Sequence, residues 1–125
     1  MSELRSAIEG LRSEVLADLP DARVEEDFGE LHRASEAIEA EKLRRLAELD
    51  RRRTYQRDGH LSAASWLAEA HRMSWGAARE QVRVARALGD MPLTRRALEA
   101  GEISTSAVRV LVSAQGADPQ AFGRL

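Results

Sequence analysis

The sequence predicts an all-α fold: a long N-terminal helix or helical hairpin packed with a cluster of shorter helices that contains a helix-turn-helix-like unit. Three observations carry this reading. The 125 residues hold only three prolines and are rich in Ala, Leu, Glu and Arg, with few β-branched clusters, which is the composition of a helical chain. Apolar residues recur at three- and four-residue spacings rather than alternating. An apolar-Ser pair stands at Leu61-Ser62, Met73-Ser74 and Ile103-Ser104, each followed by an apolar residue at the position where a staple would close over the cap.

The elements follow in order. Residues 2–17 form an amphipathic helix with Leu4, Ile8, Leu11 and Val15 on one face, weakened by Gly10 and ended by Leu19-Pro20-Asp21. Residues 18–27 read as an acidic connection. Residues 27–57 contain one glycine and no proline, so one long helix is expected. Leu31, Ala34, Ile38, Leu46 and Leu49 mark its face, with a register skip near Glu41. Such a stripe needs cover from the first helix, the C-terminal helices or a second copy, and Leu43, off the main face, is the candidate contact for a partner helix. Asp58-Gly59-His60 stops this helix, with Gly59 as a left-handed cap. A short helix then runs from Ser62 to about Ala70 and another from Ser74 to Leu88. Gly89 to Pro92 breaks the chain, Pro92 opens a short helix ended by Gly101, and a further helix spans Ile103 to about Gln115. Asp118-Pro119 is a start signal for one more helix. The regions expected are 1–57, the N-terminal and long helices, and 58–125, a helical cluster read as the front piece of a longer protein.

Charge is unevenly placed. Residues 1–50 carry 14 acidic and 7 basic side chains, net −7; residues 51–125 carry 7 acidic and 12 basic, net +5. A basic half points toward a polyanion on that side. Of the 19 basic residues only Lys42 is a lysine; arginine is the better fork for phosphate and guanine, although a GC-rich genome produces the same bias. There is no cysteine, so disulfides and thiolate metal sites are excluded. The N-terminal residues lack the apolar run of a signal peptide, and no stretch approaches the roughly 20 apolar residues of a membrane span. A cytoplasmic protein without membrane contact is expected.

The stretch from Leu61 to Leu88 carries the functional expectation. Two helices separated by about four residues have the spacing of a helix-turn-helix. In the second, Trp75, Ala78, Val82 and Ala85 make an apolar stripe, and Arg79, Arg83 and Arg86 make a basic one beside it. Guanidinium forks on that flank suit guanine edges or phosphates; a solvated surface face has the same pattern. Arg72 and the run Arg51-Arg52-Arg53 are phosphate-contact candidates, the run also suiting a helix C-terminus on dipole grounds alone. Trp66 is expected in the core. Trp75 is weighed as core packing against contact with a base or sugar. Asp58 and His60 are read as capping or hydrogen-bonding groups rather than a metal pair. Glu69 and Glu80 lack a partner carboxylate for acid-base work, and no catalytic triad, phosphate loop or cofactor fingerprint is recognisable. The chain is expected to be non-catalytic, with no cofactor.

LAELDRR, the run from Asp58 to Ala68, VRVARAL from Val82 to Leu88, and the closing pattern from Pro92 to Ser104 together resemble the actinobacterial domain-of-unknown-function family two-twenty-two, also called the thirteen-E-twelve repeat family. The resemblance covers roughly residues 30–115. It implies a helical domain of the kind that precedes an HNH nuclease domain; His32, His60 and His71 are scattered and form no HNH motif. The same segment is similar, more weakly, to the helix-turn-helix core of chromosome-partition DNA-binding proteins, through Leu67-Ala68, Met73-Ser74, Met91-Pro92 and Gly101-Glu102-Ile103-Ser104. That similarity implies that Trp75, Gly76, Arg79 and Arg83 face DNA. Two departures stand out: Arg72 occupies the place of a turn glycine, and Gln81 that of a buried aliphatic. Two functions are expected from different classes: a module binding double-stranded DNA ahead of a nuclease, or a scaffold dimerising through Leu43, Leu46 or Leu49 on the long helix.

Overall fold

A computed structural model of the chain describes residues 2–117. Among them are six α-helices, two short 3-10 turns and no strand, so the all-α class holds. The helices are α1 (Ser2–Arg12), α2 (Asp21–Arg52), α3 (Ala63–Ala70), α4 (Trp75–Gly89), α5 (Pro92–Glu99) and α6 (Thr105–Ala117). The start signal at Asp118-Pro119 lies outside the described residues. The chain divides into two compact units, one ending at Arg33 and the second beginning at Ala34.

In the first unit two expectations are corrected. α1 ends at Arg12 rather than near residue 17, where the Ser13 hydroxyl donates to the Gly10 carbonyl at 2.7 Å. A side-chain bond of that kind competes with helix continuation, and a 3-10 turn over Leu16–Asp18 follows. The acidic connection is itself helical: α2 begins at Asp21, with the Pro20 carbonyl accepting from Arg23 and Val24. Asp21 sits in the first turn, where a helix N-terminus favours negative charge. Arg23 adds ion pairs to Asp27 at 3.1 Å and to Glu14 at 3.6 Å. No described residue of this unit is buried, and its apolar stripes, Leu4, Ile8 and Leu11 on α1 and Val24, Phe28 and Leu31 on α2, stay exposed.

The second unit contains the core. Its buried set runs through Ala40, Leu43 and Leu46 of α2, Ala63, Ala64 and Leu67 of α3, five residues of α4, and Met91, Leu98, Val108 and Val112. Leu43 is therefore a core residue at 5 % exposure, and its expected role as a partner contact is withdrawn. The register skip explains it. Within the second unit Leu43, Leu46 and Ala47 recur at short helical spacing and pack in the core, whereas Ile38, before the skip, stays 39 % exposed.

Caps form as the sequence predicts. Ser62 Oγ accepts from the Ser65 amide, Ser74 Oγ from Ala77 and Ser104 Oγ from Ala107, each at 3.1 Å. One staple fails: Leu61 is 97 % exposed and touches nothing that would fix the entry to α3. Its place is taken by polar bonds from the preceding turn. Gly59 adopts the left-handed conformation at φ 79°, Asp58 Oδ2 accepts from Trp66 Nε1 at 3.2 Å, and His60 Nδ1 meets Ser65 Oγ at 2.9 Å. Trp66 is half-buried, packed against the core and edge-on to His71.

Burial sets the stability scale. Met91 and Val108 are fully enclosed, and truncating Met91 to alanine removes apolar contacts and leaves a cavity worth about 2–5 kcal/mol. Met91→Ala is expected to lower the urea midpoint accordingly. Val110→Ala, at a residue 68 % exposed, should stay within about 0.5 kcal/mol; equal losses for the two would contradict this core assignment.

Candidate nucleic-acid interface

α3 and α4 are joined by residues 71–74. His71 caps α3 through its amide to Leu67, Met73 donates to the Ala68 carbonyl at 3.0 Å, and Ser74 caps α4. Arg72, in the place of a turn glycine, has φ 51°. The left-handed turn forms without glycine, at a cost of roughly 1 kcal/mol for the Cβ, so that departure leaves the connection intact. Gln81 is half-buried where an aliphatic side chain was expected.

α4 packs on α3, α5 and α6. Its buried residues are Ala78, Val82, Val84, Ala85 and Leu88, a wide arc rather than a narrow stripe. Arg79, Arg83 and Arg86 lie outside that arc, within about 60° of each other by the 100° step. Trp75 begins the same outer side and is 53 % exposed. The balance drawn toward core packing for it is corrected: the ring is outside the buried cluster. Trp75, Gly76, Arg79, Glu80, Arg83 and Arg86, with Ser62 and Ala64 from the start of α3, line one open cleft of about 650 Å³.

The three arginines differ in what they already hold. Arg86 reaches across to α2, its Nε and Nη2 donating to Asp50 at 2.7 and 2.9 Å. Arg83 makes two bonds to Glu80 one turn earlier, 2.9 and 2.6 Å. Arg79 makes no ion pair among the described residues. The bond from Arg86 holds the Asp50 carboxyl below its ordinary range, and that from Arg83 does the same for Glu80, with Arg109 of α6 adding to the field. Arg109 and Glu80 are additions to the sequence-derived set. The Glu80–Arg83 spacing of three was legible as a helix pair, whereas the approach of Arg109 depends on how α6 packs.

The remaining candidates lie elsewhere. Arg72 does not line the cleft. Arg51 and Arg52 both bond Glu48 within α2, the latter at 2.6 Å, drawing the Glu48 pKa down to about 2. Arg51 lines a separate groove between α2, α4 and α5. Arg53 takes a left-handed conformation at φ 53° where α2 ends. These three read as the terminus of a helix. Ser65, His60 and Glu69 also converge, with His60 Nε2 at 3.6 Å from Glu69. The serine faces Nδ1 and the group ties the turn to α3. Among the described residues no group of three or more His, Cys, Asp or Glu is placed to hold a metal, and no helix is long and apolar enough to cross a membrane.

A family model described as a domain of unknown function (DUF222) matches residues 23–121. No curated protein and no solved structure matches the chain.

The Asp50–Arg86 pair makes a prediction about pH. Because the folded-state Asp50 pKa is depressed, its contribution is complete above the ordinary carboxylate value of about 4 and is lost as pH falls through the folded value. Asp50→Asn is expected to cost about 1 kcal/mol at neutral pH, with the gap to wild type closing as pH falls through the depressed Asp50 value. Urea midpoints measured across that range check it; a gap that stays constant on acidification would contradict the pairing.

Proposed function

We infer from its cleft that this chain, which belongs to the DUF222 family, is a non-catalytic helical module that binds double-stranded DNA. The α3–turn–α4 pair acts as the helix-turn-helix, with α4 as the recognition helix. One observation carries the reading: Trp75, Arg79 and Arg83 open on a single cleft, with Arg79 in no ion pair among the described residues. An unpaired guanidinium contacts phosphate or a guanine edge without first breaking an internal bond. Arg86 keeps α4 fixed on α2 and supplies positive potential. The resemblance to a domain that precedes HNH nucleases supports a targeting role within a cytoplasmic protein whose cleavage chemistry lies in another domain.

A titration of duplex DNA into the protein at several salt concentrations tests this. Arg79→Ala is expected to lower affinity and to reduce the slope of log K against log salt by about 0.9 for one lost phosphate contact. Affinity and slope both unchanged by Arg79→Ala would remove α4 as the DNA-facing helix.

A second reading, dimerisation, is favoured by a separate observation. Val24, Phe28 and Leu31 of the first unit recur at the 3.5-residue spacing of a helix–helix seam and are 42–71 % exposed. The seam moves from the expected Leu43, Leu46 and Leu49 to this stripe, because Leu43 and Leu46 are in the core. Light scattering on a sizing column is expected to show a dimer that Phe28→Glu dissociates; a wild-type monomer at all concentrations overturns the seam.

A further inference from the structure

Within the cleft, Glu80 is the one carboxylate among the lining residues, between two arginines on its own helix. Its two oxygens are both taken by Arg83, Nε to Oε2 at 2.9 Å and Nη2 to Oε1 at 2.6 Å, and both side chains are about 40 % exposed. The pair is thus solvent-facing and exchangeable: exposed ion pairs at this spacing hold weakly. A phosphate arriving at Arg83 meets a guanidinium whose fork is occupied by a competing anion, and meets that anion's charge as well. The lining carries three cations and one anion, so neutralising Glu80 raises its charge from +2 to +3.

We propose that Glu80 is a specificity-determining residue of this cleft, an internal stand-in for DNA phosphate that occupies Arg83 and suppresses sequence-independent binding. The inference rests on the DNA-binding reading above. Arg79 makes first contact, since it is in no ion pair among the described residues. Glu80 competes with every phosphate that approaches Arg83, so Arg83 engages most fully where the ligand also offers the fixed bidentate edge of a guanine in the major groove. The released Glu80 carboxylate then either accepts from a cytosine amino group, the acidic side chain's usual base contact, or faces a phosphate at an unfavourable distance. Either result favours the sites that reward it and penalises the rest, so the same residue lowers background affinity and sharpens choice.

Glu80→Gln is the test, because it keeps the shape of the side chain and removes its charge. Binding of mixed-sequence duplex DNA is read by fluorescence anisotropy across a salt series, on wild type, Glu80→Gln, and Glu102→Gln as an equal charge change outside the cleft lining. The expected result is a several-fold gain in affinity for Glu80→Gln, with a salt slope steeper by about 0.9 as Arg83 becomes free for one more phosphate, and a smaller gain with no change of slope for Glu102→Gln. Adding Arg83→Ala to Glu80→Gln should cancel the extra slope. Wild-type binding that Glu80→Gln leaves unchanged or weakens overturns the assignment and makes Glu80 a support that positions Arg83. Absence of binding by wild type and by Glu80→Gln alike overturns the DNA reading itself.

Discussion

The second unit is organised by how much of α4 can be covered. Ala78 and Ala85, buried to 0 % and 3 % exposure, are small enough to let neighbouring helices approach closely, and Val82, Val84 and Leu88 widen the covered arc. Three helices, α3, α5 and α6, pack on that arc. Packing density of this kind tolerates no guanidinium on the inner side, because an unpaired buried cation costs far more than the methyl groups contribute. The arginines are consequently confined to the one sector left over, and the cleft is a by-product of where the core ends.

What the arginines do in that sector is decided by their carboxylate neighbours. Asp50 fastens Arg86, turning a residue of the basic stripe into a brace between α2 and α4. Glu80 holds Arg83 locally, and Arg79 is in no ion pair among the described residues. A stripe uniform in sequence is therefore graded in structure: one braced, one held, one in neither pair. Helix–helix geometry sets the first, one-turn spacing the second, and the absence of a carboxylate three or four residues away on α4 the third. The acidic first half of the chain and its basic remainder, read at the outset as a simple asymmetry, meet in particular pairs such as Asp50 with Arg86, and the Glu36 carboxylate accepts from the Thr105 amide at the start of α6 at 2.9 Å.

Much of this was legible in the sequence, and the parts that were not share a cause. The serine caps at Ser62, Ser74 and Ser104, the glycine stop at Gly59 and the break around Pro92 are local chemistry, and each formed where its residues stand. The apolar pattern of α2 changes register near Glu41, and periodicity alone does not say which residues beyond the skip turn inward: Leu46 of the expected face is buried, and so is Leu43, off it. Trp75 stands in the apolar stripe by sequence, yet its ring is 53 % exposed, because spacing does not fix where the covered arc of α4 ends. The brace at Asp50 joins residues 36 positions apart, a distance at which no spacing rule operates. Arg72 shows the reverse: a departure from an expected glycine that the backbone absorbs by placing arginine in the left-handed region.

The central claim, that the uncovered sector of α4 is the surface that meets DNA, is open to a direct spectroscopic reading. Amide and indole resonances of the labelled protein would be followed by NMR as duplex DNA is added. The account predicts that shifts concentrate on the Trp75 indole, Arg79, Glu80 and Arg83, and on Ser62 and Ala64 at the edge of the cleft, while the buried residues of α4 and the whole of α1 stay in place. Shifts confined to α1 and the first half of α2, or none at all, would contradict it.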